Sequence, residues 1–192
     1  MIIKPIKEDI EKILYQKSEI HQKVTELGAQ ISKDYAGKEI HTVTILKGAD
    51  TFANDLVQQI HPDIPLFRDY MILSSYEDEF DSSGKVKVVL DLGHGIKNRD
   101  VLVIEDIVDS GHTLDYLVNS ILLPRRPSSI KICSLLNKPS KRNEMLQHLK
   151  IDYLGFNIED AFVVGYGLDY KQYCRNWSFI AVLKEEFYSR SM

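Results

Sequence analysis

The sequence contains few cysteines and no long apolar segment. Its two cysteines, Cys133 and Cys174, do not form a Cys-x-x-Cys pair, so neither a disulfide framework nor a structural zinc site is expected. No apolar run approaches the roughly 20 residues that a membrane-spanning helix needs. The first residues, Met1–Pro5, lack the apolar core of a secretory signal. The cytoplasm is therefore the expected compartment.

A strong excess of one charge is also missing. The formal net charge is −4 over 192 residues, which gives no indication of a nucleic-acid or acidic-membrane partner. Hydrophobic residues make up 44% and charged residues 27% of the chain, as is typical of globular rather than disordered proteins. The length suits a single domain over residues 1–192, with at most a small appendage.

The chain does contain alternating helical and extended patterns. Residues 18–34 have apolar residues at helical spacing, with Ser18 placed to cap the start and Gly37 to end the helix. Further helices are predicted at Thr51–Ile60, His112–Leu122 and 143–150. Strands are predicted at His41–Leu46, Leu66–Ser74, Val86–Leu90, Val101–Ile104, Ile130–Leu136, Tyr153–Phe156, Phe162–Gly165 and Phe179–Leu183. Residues 75–85 are polar and acidic, which indicates an exposed loop.

Strands that alternate with helices predict an α/β fold, with a mostly parallel twisted sheet flanked by helices. In such sheets, ligands bind beyond the carboxyl ends of the strands. Polar residues gather at these ends in three places: Lys47-Gly48, Glu105–Thr113 and the residues after Leu136. The candidate site is therefore expected where these three segments meet.

The segment Val101–Thr113 has the most explicit chemistry. Four apolar residues predict a buried strand, the acids Glu105 and Asp106 follow it, and Asp109–Thr113 leads into a predicted helix. The N–H groups of a glycine-containing turn at a helix start form a nest for phosphate, and Gly111 allows close backbone approach. The two acids are placed to hold a vicinal diol or a hydrated Mg²⁺. The alternative is that Asp109 or Ser110 only caps the helix.

Glu105–Thr113 resembles the 5-phosphoribosyl 1-pyrophosphate motif of the type I phosphoribosyltransferases. The resemblance extends over most of the chain, with its segments in the same order. Leu46–Gly48 is similar to the family's pyrophosphate loop, Ser74–Tyr76 to the start of its mobile lid, and Ser134–Lys138 to its base-recognition strand. Phe162–Tyr170 is similar to the hood segment of the hypoxanthine-guanine branch. The resemblance implies the type I fold, with a hood formed by the N-terminal segment and roughly residues 152–192.

The family's reaction is thereby implied as well. It is the purine salvage step that transfers a phosphoribosyl group to N9 of hypoxanthine or guanine, giving IMP or GMP and pyrophosphate. The resemblance implies that Asp109 is the general base near N7, and that Glu105 and Asp106 hold the ribose hydroxyls directly or through Mg²⁺. The 5′-phosphate would be bound by Ser110, Gly111, His112 and Thr113. Because His112 occupies a position that varies in the family, it is expected to have no role in binding, or at most to donate a hydrogen bond on the phosphate side.

The resemblance also implies the remaining contacts. The pyrophosphate would be bound by Lys47, Gly48, Ser75, Tyr76 and Arg175, and the Lys47-Gly48 peptide can be cis in the family. Asp169 would help to place Mg²⁺ together with Glu105 and Asp106. Lys138 would donate to O6 of the base, Phe162 would stack on its ring, and the backbone of Val163 would contact its edge. Taken alone, Lys47 and Arg175 also suit solvated surface positions, and Phe162 suits a core position.

Two positions depart from the hypoxanthine-guanine branch. Pro139 stands where that branch often has a basic residue, and Ala161 stands where many relatives carry lysine. The preference among hypoxanthine, guanine and xanthine therefore stays open.

Two alternative functions share this site: phosphoribosyl transfer to a different base, and regulation by a protein that keeps the site but binds nucleic acid. Lys138 and Phe162–Gly165 argue against the first function, and the acidic balance and the presence of Asp109 argue against the second. Since members of the family form dimers or tetramers, a homodimer or homotetramer is expected by analogy.

Overall fold

Two β-sheets organise the computed structural model, which describes residues 7–75, 86–142, 146 and 149–189. The strands are β1 (Ile10–Tyr15), β2 (Ile40–Leu46), β3 (Leu66–Ser75), β4 (Val86–Leu90), β5 (Asp100–Val108), β6 (Ser129–Asn137), β7 (Tyr153–Asn157), β8 (Val163–Val164) and β9 (Ile180–Leu183). The larger sheet has six strands in the order β4-β3-β2-β5-β6-β7. The smaller sheet has three, in the order β1-β9-β8.

The larger sheet is mostly parallel. β2 pairs in parallel with both β3 and β5, and β6 pairs in parallel with both β5 and β7. Only the edge strand β4 is antiparallel to its neighbour, β3. The predicted α/β fold, with a mostly parallel sheet flanked by helices, is confirmed.

Within the described ranges, four α-helices accompany the sheets: α1 (Lys17–Asp34), α2 (Asp50–Val57), α3 (His112–Tyr116) and α4 (Glu185–Ser189). The chain continues from α3 as a π-helical turn, Leu117–Leu122, so the predicted helix to Leu122 changes its hydrogen-bond pattern midway. Ser18 does not cap α1, because the helix already begins at Lys17 and the N–H of Gln16 donates to the Glu19 carboxylate (2.8 Å). None of the helices in the described ranges is long and apolar enough to cross a membrane.

Both faces of the larger sheet are buried. Along β5, Leu102 and Ile104 belong to a core cluster that also contains apolar residues of α1 and α2. Val101 and Val103 belong to a second cluster, on the side of α3. Because side chains alternate along a strand, this division means that β5 is covered on both sides, as parallel sheets require.

Several predicted boundaries were wrong. β5 does not end at Ile104 but continues to Val108, because β6 runs alongside it and pairs Glu105 with Ser134 and Val108 with Asn137. The strand β1 and the helix α4 were not predicted. β7 belongs to the larger sheet, whereas β1, β8 and β9 form the smaller one. Ser75, the first residue of the predicted loop 75–85, ends β3 instead. The rest of that loop and most of the predicted helix at 143–150 lie outside the described residues.

Candidate active site

A cavity of about 240 Å³ lies at the carboxyl ends of β2 and β5. The chain passes from β2 to β3 on one side, whereas β5 lies on the other side of β2, so the strand order reverses at this point. Parallel sheets bind ligands in the crevice at such a reversal. The cavity is lined by Ile45, Leu46, Gly48, Leu73, Glu105–Gly111, Thr113 and Leu114. The sequence motif and the structural crevice therefore coincide.

Glu105 and Asp106 lie in the last part of β5 and form the acidic wall of the cavity. Burial, and then the neighbouring Asp106 carboxylate, raise the pKa of Glu105 well above its usual range. Burial also raises the pKa of Asp106. Each side chain keeps part of its surface exposed to the cavity. Two crowded acids of this kind are stabilised by a proton, by hydroxyl donors or by a cation.

Gly48 allows the loop after β2 to approach this wall. A Cβ at this position would overlap the Asp106 carboxylate, so any larger residue would displace one of the two segments. The backbone just before it contains a cis peptide bond, between Leu46 and Lys47. The resemblance pointed to the Lys47-Gly48 bond, but the cis bond lies one residue earlier in the chain. Lys47 itself is exposed.

The turn after β5 bends at Gly111, which has a φ of 89° and occupies the N-cap position of α3. Only glycine adopts this conformation at little cost. No side chain makes a capping hydrogen bond there, so the alternative in which Asp109 or Ser110 caps the helix is wrong. Ser110, Gly111 and Thr113 line the cavity, whereas His112 is exposed and lies outside its lining.

Lys138 meets Asp109 at the rim of the cavity. β5 and β6 end side by side, and the N–H of Lys138 donates to the carbonyl of Val108 (2.9 Å). This places Lys138 Nζ 3.2 Å from Asp109 Oδ2, as a charged hydrogen bond. The Lys138 side chain is only 9% exposed, and a second carboxylate, Asp160, lies 3.6 Å from the same nitrogen. The two residues predicted to contact the base are thus adjacent.

Phe162 and Val163 enter the smaller sheet beside this pair. Phe162 is 37% exposed, although Tyr188 of α4 stacks on it with ring centroids 5.0 Å apart. Val163 is buried and pairs with Val182 of β9. Because β8 is the edge of its sheet, one side of the Val163 backbone faces away from the strand ladder.

Asp169 and Arg175 form an ion pair, with Arg175 Nη2 2.7 Å from Asp169 Oδ1. The other Asp169 oxygen accepts from the N–H of Gln172 (2.7 Å), and the Lys47 ammonium reaches the side chain of Gln172 (3.5 Å). A Cβ at Gly167 would overlap the carbonyl of Gly48, so this segment packs directly on the loop after β2. The structure therefore brings the predicted pyrophosphate residues Lys47, Gly48 and Arg175 together.

Two predicted residues are not placed in the site. Ser75 ends β3, near the carboxyl edge of the sheet, and nothing is described of its side chain. Tyr76 lies outside the described residues. Their predicted contacts with pyrophosphate stay predictions.

The structure adds residues to the site that the sequence did not indicate. Asp160 reaches Lys138, Tyr188 covers Phe162, and the Arg142 guanidinium lies 3.2 Å from where a Cβ of Gly111 would be. A basic cluster, Lys138–Arg142, was visible in the sequence and is the only signal for Arg142. Asp160 and Tyr188 are remote from their partners along the chain, and no pattern connects them.

Comparison with known proteins agrees with this geometry. A family model described as phosphoribosyl transferase domain matches residues 11–171. The chain belongs to the phosphoribosyltransferase family, as Glu105–Thr113 predicted.

The similar proteins come from the hypoxanthine-guanine branch. The chain is 46% identical over 183 residues to the hypoxanthine-guanine phosphoribosyltransferase of Bacillus subtilis, covering 95% of this chain and 98% of the relative. It is 45% identical over 181 residues (94% of this chain) to the bifunctional protein TilS/HprT of Listeria monocytogenes, of which it spans only 27%. A hypoxanthine phosphoribosyltransferase crystal structure from Staphylococcus aureus matches with a TM-score of 0.86 and 42% identity, covering 94% of this chain and 95% of that one. The predicted branch of the family is confirmed.

Proposed function

We propose that this protein is a purine salvage enzyme, which transfers the phosphoribosyl group of 5-phosphoribosyl 1-pyrophosphate to N9 of hypoxanthine or guanine. The products are IMP or GMP and pyrophosphate. The observation that carries the proposal is the 3.2 Å pairing of Lys138 Nζ with Asp109 Oδ2 at the rim of the motif-lined cavity. The names of the Bacillus subtilis and Staphylococcus aureus relatives support it.

A 6-oxopurine fits this pair because O6 and N7 lie side by side on one edge of the ring. When the base binds, the Lys138 ammonium donates to O6 and the Asp109 carboxylate accepts from N7–H. Adenine would instead present an amino donor to the ammonium, so this contact would have no acceptor on the base. Such a mismatch costs more than the loss of a bond between neutral groups.

Asp109 is then the general base. As N9 forms its bond to C1′ of the sugar, the bond from C1′ to the pyrophosphate oxygen breaks and N7 loses its proton to Asp109. General-base assistance typically contributes about 10²- to 10⁴-fold. The sugar carbon passes through an oxocarbenium-like state, as in glycoside chemistry, and the nearby carboxylate stabilises that charge.

The other half of the substrate lies along β5 and the turn after it. Glu105 and Asp106 accept hydrogen bonds from the ribose hydroxyls, directly or through Mg²⁺. The 5′-phosphate binds at the turn, where Gly111 allows the backbone to approach and the hydroxyls of Ser110 and Thr113 donate. His112 lies on the phosphate side of the turn, without a required role.

The pyrophosphate lies over the loop after β2. Lys47 supplies a mobile charge, the backbone of Gly48 approaches closely, and Arg175 presents a planar fork suited to phosphate oxygens. Ser75 and Tyr76 are proposed to contact the same group, as the family resemblance implies.

Mg²⁺ is expected to bind together with the substrate. Among the described residues there is no group of three or more His, Cys, Asp or Glu that could hold a metal. This donor set fits Mg²⁺ all the same, because that ion commonly takes one or two carboxylates and completes its shell with phosphate oxygens and water. Asp169 would help to place the Mg²⁺ carried by the pyrophosphate, and Glu105 and Asp106 would contact Mg²⁺ on the ribose side. When bound, it neutralises the charge of the leaving pyrophosphate.

The base is held between the larger sheet and a hood, which we assign to β1, β8 and β9. Phe162, at the start of the hood, stacks on the purine ring, and the backbone on the free edge of Val163 contacts the far side of the base. A homodimer or homotetramer and a cytoplasmic location complete the proposal, both by analogy with the family.

A spectrophotometric assay of each purine with 5-phosphoribosyl 1-pyrophosphate and Mg²⁺ tests the function. Hypoxanthine, guanine or both should be converted to the nucleotide, and adenine should be converted at least tenfold less efficiently, because one charged hydrogen bond is lost. The absence of nucleotide from both hypoxanthine and guanine would refute the proposal.

A further inference from the structure

Asp160 lies in the segment between β7 and β8, two residues before Phe162, and has no role in the reaction as described so far. Its Oδ1 lies 3.6 Å from Lys138 Nζ, and its Oδ2 lies 2.9 Å from Lys141 Nζ. Lys138 Nζ is also 3.2 Å from Asp109. The ammonium that is proposed to donate to O6 therefore lies close to two carboxylates.

The binding of a base changes this balance. According to the proposed function, on which this inference rests, Asp109 turns to N7 of the purine, and Lys138 gains only O6, a neutral acceptor. The Lys138 side chain is 9% exposed. A largely buried ammonium without a nearby carboxylate is unfavourable, because its charge is no longer compensated. Asp160 is the carboxylate that remains beside it.

We propose that Asp160 is a positioning residue, which holds the Lys138 ammonium toward O6 while Asp109 is occupied by the base. It thereby contributes to the preference for 6-oxopurines. Its other oxygen, Oδ2, contacts Lys141, which ends the short turn Pro139–Lys141. Lys141 and Lys138 therefore share the same carboxylate.

The ionisation of Asp160 is consistent with this role. The hydrogen bond from Lys141 is the main cause that lowers the pKa of Asp160, so the carboxylate is charged at neutral pH. Its side chain is 48% exposed, which leaves it free to approach Lys138 by a small rotation when the base arrives. An exposed partner also means that the effect of removing it is moderate.

A purely structural role for Asp160 makes a different prediction. In that case Asp160 would act only through Lys141, by pinning the turn that follows β6. Removing Lys141 would then have the same effect as removing the Asp160 charge. If Asp160 instead acts on Lys138, the loss of Lys141 leaves Asp160 with Lys138 as its remaining cation, and base binding is kept or improved.

Four variants separate these roles: Asp160→Asn, Asp160→Glu, Lys141→Gln and, as the matched control, the neighbouring exposed acid Glu159→Gln. The KM values for hypoxanthine and for 5-phosphoribosyl 1-pyrophosphate, kcat and the melting temperature are measured for each. Asp160→Asn should raise the hypoxanthine KM about threefold to tenfold, between the effects of exposed and buried pairs. The KM for the sugar substrate should not change. Asp160→Glu should have a hypoxanthine KM close to that of the wild-type protein, because it keeps the carboxylate. Lys141→Gln and Glu159→Gln should not raise the hypoxanthine KM.

An unchanged hypoxanthine KM in Asp160→Asn would overturn this inference, and so would a Lys141→Gln variant that reproduces the Asp160→Asn defect. Both outcomes require an active wild-type enzyme, so they differ from a failure of the proposed function, in which the wild-type protein itself would form neither IMP nor GMP.

Discussion

Replacing Lys138 with glutamine tests how the protein selects its base. The change removes the ammonium that is proposed to donate to O6. The Lys138 side chain is only 9% exposed, so solvent screens little of this interaction. A hydrogen bond to a charged group contributes about 1.5–3 kcal/mol. Because 1.4 kcal/mol corresponds to a factor of ten, kcat/KM for hypoxanthine should fall by about 10- to 150-fold.

Adenine should respond in the opposite sense. In the wild-type protein the amino group of adenine would face the Lys138 ammonium, so that two hydrogen-bond donors meet. Glutamine replaces the ammonium with a neutral amide that can also accept a hydrogen bond. We therefore expect kcat/KM for adenine to stay the same or rise. The ratio of the two kcat/KM values should fall at least tenfold, as one lost charged hydrogen bond requires.

The assay measures both bases at saturating 5-phosphoribosyl 1-pyrophosphate, with the product separated by chromatography. Lys141→Gln is the matched control, since Lys141 is a nearby lysine that pairs with Asp160 but is 48% exposed, whereas the Lys138 side chain is 9% exposed. It should keep the wild-type ratio. An unchanged ratio in Lys138→Gln, or an equal fall for both bases, would refute the role of Lys138 in base selection.

Three further predictions concern other parts of the site and the fold. Asp109→Asn should lower kcat by about 10²- to 10⁴-fold with little change in the KM for the sugar substrate, because only the general base is lost. Gly48→Ala should lower the free energy of unfolding in urea by about 1–3 kcal/mol, since its Cβ would overlap the Asp106 carboxylate. Burial raises the pKa of Cys174 to about 11, so its reaction with a disulfide reagent should be slow at pH 8 and accelerate toward pH 11 as the thiolate forms.

Each of these predictions has a control and a contradicting result. A fully active Asp109→Asn variant would exclude the general-base role. Gly95→Ala, where no atom lies within 4 Å of the new Cβ, should keep wild-type stability, and equal stability of Gly48→Ala would contradict the packing argument. In urea Cys174 should react quickly at pH 8, and an equally fast reaction in the native protein would show that the thiol is not protected.

The segment around Glu105–Thr113 was predictable because its chemistry is local. A buried strand, two acids and a glycine turn are consecutive in the chain, so residue order alone places them at one edge of a parallel sheet. The ends of β2 and β6 follow by the same rule, since the carboxyl ends of parallel strands meet at one edge. The proximity of Lys138 and Asp109 is a consequence of that rule.

Contacts between distant parts of the chain were not predictable in this way. Asp160 reaches Lys138 only because β7 and β8 place it there, and Tyr188 reaches Phe162 through a C-terminal helix without a strong periodic pattern. The end of β5 was misplaced because charged residues usually mark the end of a buried strand. Here the pairing with β6 continues through Glu105 and overrides that tendency.

A crystal structure with IMP, pyrophosphate and Mg²⁺ bound would test the central claim most directly, namely that Lys138 and Asp109 hold one edge of a 6-oxopurine. We predict O6 within hydrogen-bonding distance of Lys138 Nζ, N7 facing the Asp109 carboxylate, and the 5′-phosphate at the turn formed by residues 110–113. A nucleotide bound elsewhere, or a base turned so that another edge faces Lys138, would contradict the account.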